Sequence, residues 1–121
     1  MRILVTGGRS YADRDAVWSA LDRVHAKRGL TCVIHGAATG ADEHARAWCI
    51  ARRIPMEVYP ANWRPVVGGG IDRSAGPRRN ADMLERGRPD GVVAFPGGTG
   101  TADMVRRAEA AGIKVWRPTA A

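Results

Sequence analysis

Gly91-Val92-Val93-Ala94-Phe95-Pro96-Gly97-Gly98-Thr99-Gly100-Thr101-Ala102-Asp103 joins a short apolar run to a proline, a glycine-rich turn and a helix-forming segment. An apolar run of this length containing adjacent valines reads as a buried parallel strand, because both faces of such a strand are covered. Gly97, Gly98 and Gly100 permit tight turns and let a ligand approach the backbone without meeting a Cβ. Thr99 or Thr101 is placed to cap the helix that follows. The first N–H groups of that helix lack intrahelical partners and form a natural anion site.

Four more strands are read on either side: Arg2 to Thr6, Thr31 to His35, Met56 to Tyr59 and Ile113 to Trp116. Between them lie helical patterns. The first starts at Asp13 or Asp15, carries Val17, Trp18, Leu21 and Val24 on one face, and ends at Gly29. The second covers Ala41 to Arg53, with Ala45, Trp48, Cys49 and Ala51 available for packing. A third runs from about Pro77 to Gly87 around Ala81, Met83 and Leu84, and a fourth from about Thr101 to Ala111 around Met104, Val105 and Ala108. Pro60 to Pro77 contains Gly68-Gly69-Gly70 and three prolines, so it reads as a long irregular loop. Pro118 to Ala121 reads as a tail.

Alternating strands and helices predict an α/β domain over residues 1–121, a Rossmann-like three-layer sandwich with a mainly parallel five-stranded sheet. The expected order, 3-2-1-4-5, sets the turns after the first and fourth strands side by side at the switch point where open α/β sheets bind ligands.

No apolar stretch approaches the roughly 20 residues needed to span a bilayer, which argues against a membrane partner. Met1 to Thr6 is too short for a signal peptide, so a cytoplasmic setting is expected. Cys32 and Cys49 read as buried free thiols, and His25, His35 and His44 form no metal set; neither a metal nor a cofactor is expected. The net charge of +7 comes almost entirely from arginine. Arginine's planar fork suits phosphates, so the balance fits a polyphosphate ligand or nucleic acid. The arginines are spread along the chain, and charge alone names no partner.

Three glycine turns end strands: Thr6-Gly7-Gly8-Arg9-Ser10-Tyr11, His35-Gly36-Ala37-Ala38-Thr39-Gly40-Ala41-Asp42 and Pro96-Gly97-Gly98-Thr99-Gly100-Thr101. Parallel strands bring these turns to one edge, where N–H groups, hydroxyls and Arg9 suit a phosphorylated ligand. Arg9 is a candidate phosphate clamp. Asp42 is placed to hydrogen-bond a ribose or polarise a water, or simply to complement a helix N-terminus. His35 fits a buried rim position or an acid–base role. Arg78, Arg79 and Asn80 can meet phosphate or base, and Trp63 can stack on a base. Neither GxGxxG nor a P-loop lysine is present, which disfavours dehydrogenases and P-loop NTPases.

Together with Gly76-Pro77-Arg78-Arg79-Asn80, these motifs resemble the SLOG superfamily, and within it the YspA type, related to YpsA, found in bacteria and phages. The resemblance spans nearly the whole chain. It implies a Rossmann-like fold and a nucleotide, nucleotide-derived or nucleic-acid ligand; relatives include Lonely Guy phosphoribohydrolases, DprA and sensors of NAD-derived signals. Many relatives dimerise, so the resemblance also allows a homodimer. The enzymatic relatives carry Pro-Gly-Gly-x-Gly-Thr-x-x-Glu, and the glutamate position here is Met104. Asp103 lies one residue earlier, about 100 degrees away around the helix. The expectation is therefore a binding or sensing domain for a nucleotide-derived ligand. The alternatives are an N-glycosidic hydrolase using Asp103 or Asp42, or a single-strand nucleic-acid binder.

Overall fold

The computed structural model describes residues 1–64 and 66–118. The chain runs β1 (Arg2–Thr6), α1 (Arg14–Arg28), β2 (Cys32–His35), α2 (Ala41–Arg52), β3 (Met56–Val58), α3 (Ala75–Glu85), β4 (Gly91–Ala94), α4 (Thr99–Ala110), β5 (Lys114–Trp116). All neighbouring strands pair in parallel in the order β3-β2-β1-β4-β5, as the sequence predicts.

Alternation along each strand divides the core between the two faces of the sheet. Ile3, Val5, Val33 and Val93 pack with Val17, Leu21, Ala45 and Trp48 of α1 and α2. Leu4, Ile34 and Val92 pack with Met83 of α3 and with Met104 and Ala108 of α4. Cys32 and Cys49 are buried free thiols. Trp18 is only half-buried, between the guanidinium groups of Arg14 and Arg52, and Ala51 is exposed. Among the described residues no helix is long and apolar enough to cross a membrane.

Thr31, Tyr59, Phe95 and Ile113, read as strand ends, lie just outside their strands. Two helix starts differ from the sequence reading. α3 begins at Ala75, before Pro77, because a proline in the first turn removes an N–H that has no helical acceptor. α4 begins at Thr99 with Gly98 as its N-cap and no side-chain cap bond, so neither Thr99 nor Thr101 caps it. The first-turn N–H groups of α4 are left to the space in front of them.

α2 starts at Gly40, whose φ of 71° favours glycine. A Cβ there would lie 2.2 Å from the carbonyl oxygen of Gly8. Gly29, which ends α1 at a φ of 70°, has open space around it. Gly29→Ala is therefore expected to cost only its backbone strain, about 1 kcal/mol. Gly40→Ala adds a clash with fixed backbone and is expected to cost more than about 3 kcal/mol. Urea denaturation of the two variants side by side checks the difference.

Candidate functional site

Parallel pairing brings the ends of β1, β2 and β4 to one edge, and backbone bonds lock their turns together. Gly8 N–H donates to Pro96 O (2.8 Å), and Ala41 N–H donates to Gly8 O (3.2 Å). In front of them lies a cavity of about 750 Å³, within the range of small-molecule sites. Its walls come from the β1 turn, the β2 turn and α2, the β3–α3 loop, and the first turns of α3 and α4.

Four arginines, Arg9, Arg73, Arg79 and Arg106, line this cavity beside two carboxylates, Asp42 and Asp103. Asp42 is 6% exposed and accepts the N–H groups of Gly36 (3.1 Å) and Ala38 (3.2 Å), both on Oδ2. Burial raises its pKa to about 6 against the downward pull of those N–H groups and of Arg79 and Arg9. Arg79 Nη1 donates to Gly36 O (2.7 Å) and its Nε to Asn80 Oδ1 (3.1 Å). Burial lowers its pKa, and the Asp42 charge opposes that.

Asn80 is buried inside α3, and its Nδ2 donates to Gly100 O (3.2 Å) and to Asp103 Oδ2 (3.0 Å). Asp103 also accepts Arg106 on Oδ1 (2.6 Å) and Arg107 on Oδ2 (2.8 Å). Burial pushes its carboxyl up, but the bonds from Asn80 and Arg107 and the guanidinium charges outweigh burial and hold it below the usual carboxylate range.

Of the residues singled out in the sequence, Thr6, Gly7, Gly8, Arg9, Asp42, Asn80, Gly98, Thr99, Gly100, Thr101 and Asp103 line the cavity, as does Trp63. Ser10, Tyr11, Pro96 and Gly97 line an adjoining cleft, and the Tyr11 ring stacks on Phe95. Gly36 and Ala38 donate to Asp42, and Ala38 also lines the cavity; Ala37 N–H donates to His35 Nδ1 (3.0 Å), and Gly40 is the N-cap of α2. His35 is 1% exposed and does not line the cavity; burial, with a smaller contribution from Arg46, depresses its pKa to about 4.

Arg78 does not line the cavity either: it pairs with Asp72, and its neighbour Arg79 is the inward residue. Met104 is fully buried in the cluster with Leu4 and Ile34. Arg73 and Arg106 were not anticipated. Arg106 follows Asp103 by three residues on one helix face, a spacing that could have signalled it. Arg73 lies in the irregular loop, where no periodicity exists to find it. Among the described residues no group of His, Cys, Asp or Glu could hold a metal ion.

His35 and Asp42 couple stability to pH in opposite senses. Between about pH 6.5 and 4 the unfolded chain protonates His35 and the fold does not, so acidification removes stability. Between about pH 6 and 4 the fold keeps a proton on Asp42 that the unfolded chain releases, so acidification adds stability. Each effect is on the order of 3 kcal/mol over its full range, and in the native chain they largely cancel. Asp42→Asn is expected to lose stability progressively from about pH 7 to 4.5, and His35→Gln to gain it. Denaturant midpoints across that range test both signs.

A family model described as YspA, cpYpsA-related SLOG family matches residues 1–65, which hold the first two glycine turns. Over 94% of its length the chain is 37% identical to the Gene 61 protein of Mycobacterium phage D29, and the match covers 93% of that protein. No solved structure matches the chain significantly. The match of more than half the chain to the family model, and the near full-length likeness to the phage protein, agree with the sheet order and the joined glycine turns: the chain belongs to the YspA, cpYpsA-related SLOG family.

Proposed function

We propose that this chain binds a nucleotide-derived small molecule carrying phosphate and ribose. The observation that carries this reading is the convergence of four arginines and the uncapped N-terminus of α4 on one cavity. Family membership supports nucleotide-related binding at the same level. Phosphate is placed at the glycine turns, where α4 N–H groups, Arg9 and Arg106 meet it. The ribose lies by Asp42, whose two backbone bonds both end on Oδ2 and leave Oδ1 for a hydroxyl.

A hydrolase reading has weaker support. Both oxygens of Asp103 are occupied by Asn80, Arg106 and Arg107, and position 104 is a core methionine. A single-strand nucleic-acid reading draws on the overall charge, but several arginines are paired with carboxylates, Arg52 with Asp22 and Arg2 with Glu57 among them.

AMP and ADP-ribose are expected to raise the melting temperature, and to do so still at about 0.5 M salt, unlike a ligand held by counterion release. The nucleotide is expected back intact after incubation; chromatographic detection of free adenine would move the reading to a hydrolase. Loss of every nucleotide shift at high salt, with single-stranded DNA as the best ligand at low salt, would favour nucleic acid.

Arg106→Ala removes one charge-assisted donor from the phosphate end. Titration calorimetry is expected to show AMP bound about tenfold more weakly, the size of a lost hydrogen bond to a charged group. An unchanged affinity would take the phosphate away from α4.

A further inference from the structure

The irregular loop between β3 and α3 is built around Trp63. Asp72 N–H donates to Trp63 O (2.6 Å), closing the neck of the loop. The Asp72 carboxylate in turn accepts the N–H (3.0 Å) and hydroxyl (2.6 Å) of Ser74 just before α3. The indole lies against Gly76, where a Cβ would come within 2.7 Å of its Cη2. Only a glycine at this point of α3 lets the ring sit there. An aromatic ring is thus fixed on the cavity wall by both its backbone and its side chain.

The guanidinium of Arg9 lies over this ring, 4.8 Å from its centroid. Arg9 starts from the β1 turn, whose Gly8 is bonded to Pro96 beside the α4 turn, so one side chain spans from the glycine turns to the indole. No ion pair to Arg9 is present among the described residues. Its hold on the ring is a cation–π contact, which is weak when exposed to water. A guanidinium and a nucleobase are both flat, and both stack on an indole face.

We propose that Trp63 is the base platform of this cavity and that Arg9 is its placeholder: a nucleobase displaces the guanidinium from the ring, and Arg9 turns to the ligand's phosphate. The proposal rests on the phosphate-and-ribose reading above and adds the ligand class, an aromatic nucleotide rather than a sugar phosphate.

The test compares AMP with ribose 5-phosphate, which carries a hydroxyl where AMP has its base, by calorimetry on the full chain. Native protein is expected to bind AMP about tenfold or more tightly than ribose 5-phosphate, the size of one base–aromatic stack. Trp63→Leu is expected to lose most of that preference and Trp63→Phe to keep it, which separates stacking from a fold defect. AMP, and not ribose 5-phosphate, is expected to quench tryptophan emission, and the quench is expected to vanish in Trp63→Phe. Arg9→Ala is expected to weaken both ligands by a similar factor, because the lost contact is to phosphate.

An AMP preference unchanged in Trp63→Leu, or native protein that binds the two ligands equally, overturns the platform and leaves the proposed function standing. Affinities unchanged in Arg9→Ala overturn the exchange. Native protein that binds neither ligand overturns the proposed function, and the platform falls with it.

Discussion

Two consecutive residues of α3 hold the cavity together. Arg79 ties α3 to the β2 turn through Gly36 O, and Asn80 ties it to α4 through Gly100 O and Asp103. Successive helix positions diverge by about 100 degrees, so one helix reaches two different neighbours from adjacent residues. The Nε of Arg79 donates to Asn80 and couples the two. Gly36, which accepts from Arg79, donates its own N–H to Asp42 at the start of α2. A continuous run of bonds therefore passes from α2 through the β2 turn and α3 to α4. Parallel pairing brings these segments to one edge of the sheet, and this run fixes how far apart they stand.

Arg79 and Asp42 are taken largely out of water to do this, and buried charge is costly unless partnered. Both titrate abnormally for that reason, Asp42 upward and Arg79 downward. Most other arginines named here have structural work. Arg2 bonds Glu57 and Gly87 O, Arg52 bonds Asp22, and Arg14 covers Trp18. The ion pairs cancel in the net charge of +7, and the four arginines of the cavity face two carboxylates, so most of the excess charge lies on arginines outside the cavity. Composition adds these together, which is why it named no partner.

The strands and the three turns were legible because each depends on local sequence, apolar runs for buried strands and glycine where backbones meet, and the strand order followed from their alternation with helices. The β3–α3 loop hid the rest. Arg78 and Arg79 are equivalent as sequence, and only the phase at which α3 packs on its neighbours turns Arg79 inward. The same phase puts Asn80 inside the helix against α4, away from any cap. Thr99 and Thr101 looked like caps because their residue type favours that place, yet Gly98 holds it. The N–H groups of α4 are left free where a hydroxyl would have taken one. A turn built for an anion and a turn built for helix stability differ at that one position, and residue propensity favours the second.

Met104 stands where the resemblance to the enzymatic relatives would put a glutamate. Met104 packs with Leu4, Ile34 and Met83, so this position serves the core beneath the cavity. The carboxylate one step earlier faces the cavity, but three donors occupy it. A general base needs an oxygen within reach of the proton it takes, and both Asp103 oxygens already accept from Asn80 or from arginine, which makes it a poorer base. Asp42 keeps Oδ1 open, and with a pKa near 6 it can accept from a ligand hydroxyl or, when protonated, donate to one. Backbone bonds and burial fix Asp42 on the cavity wall. The two carboxylates of the cavity thus divide into one that braces α4 through three donors and one whose Oδ1 is left open towards the cavity.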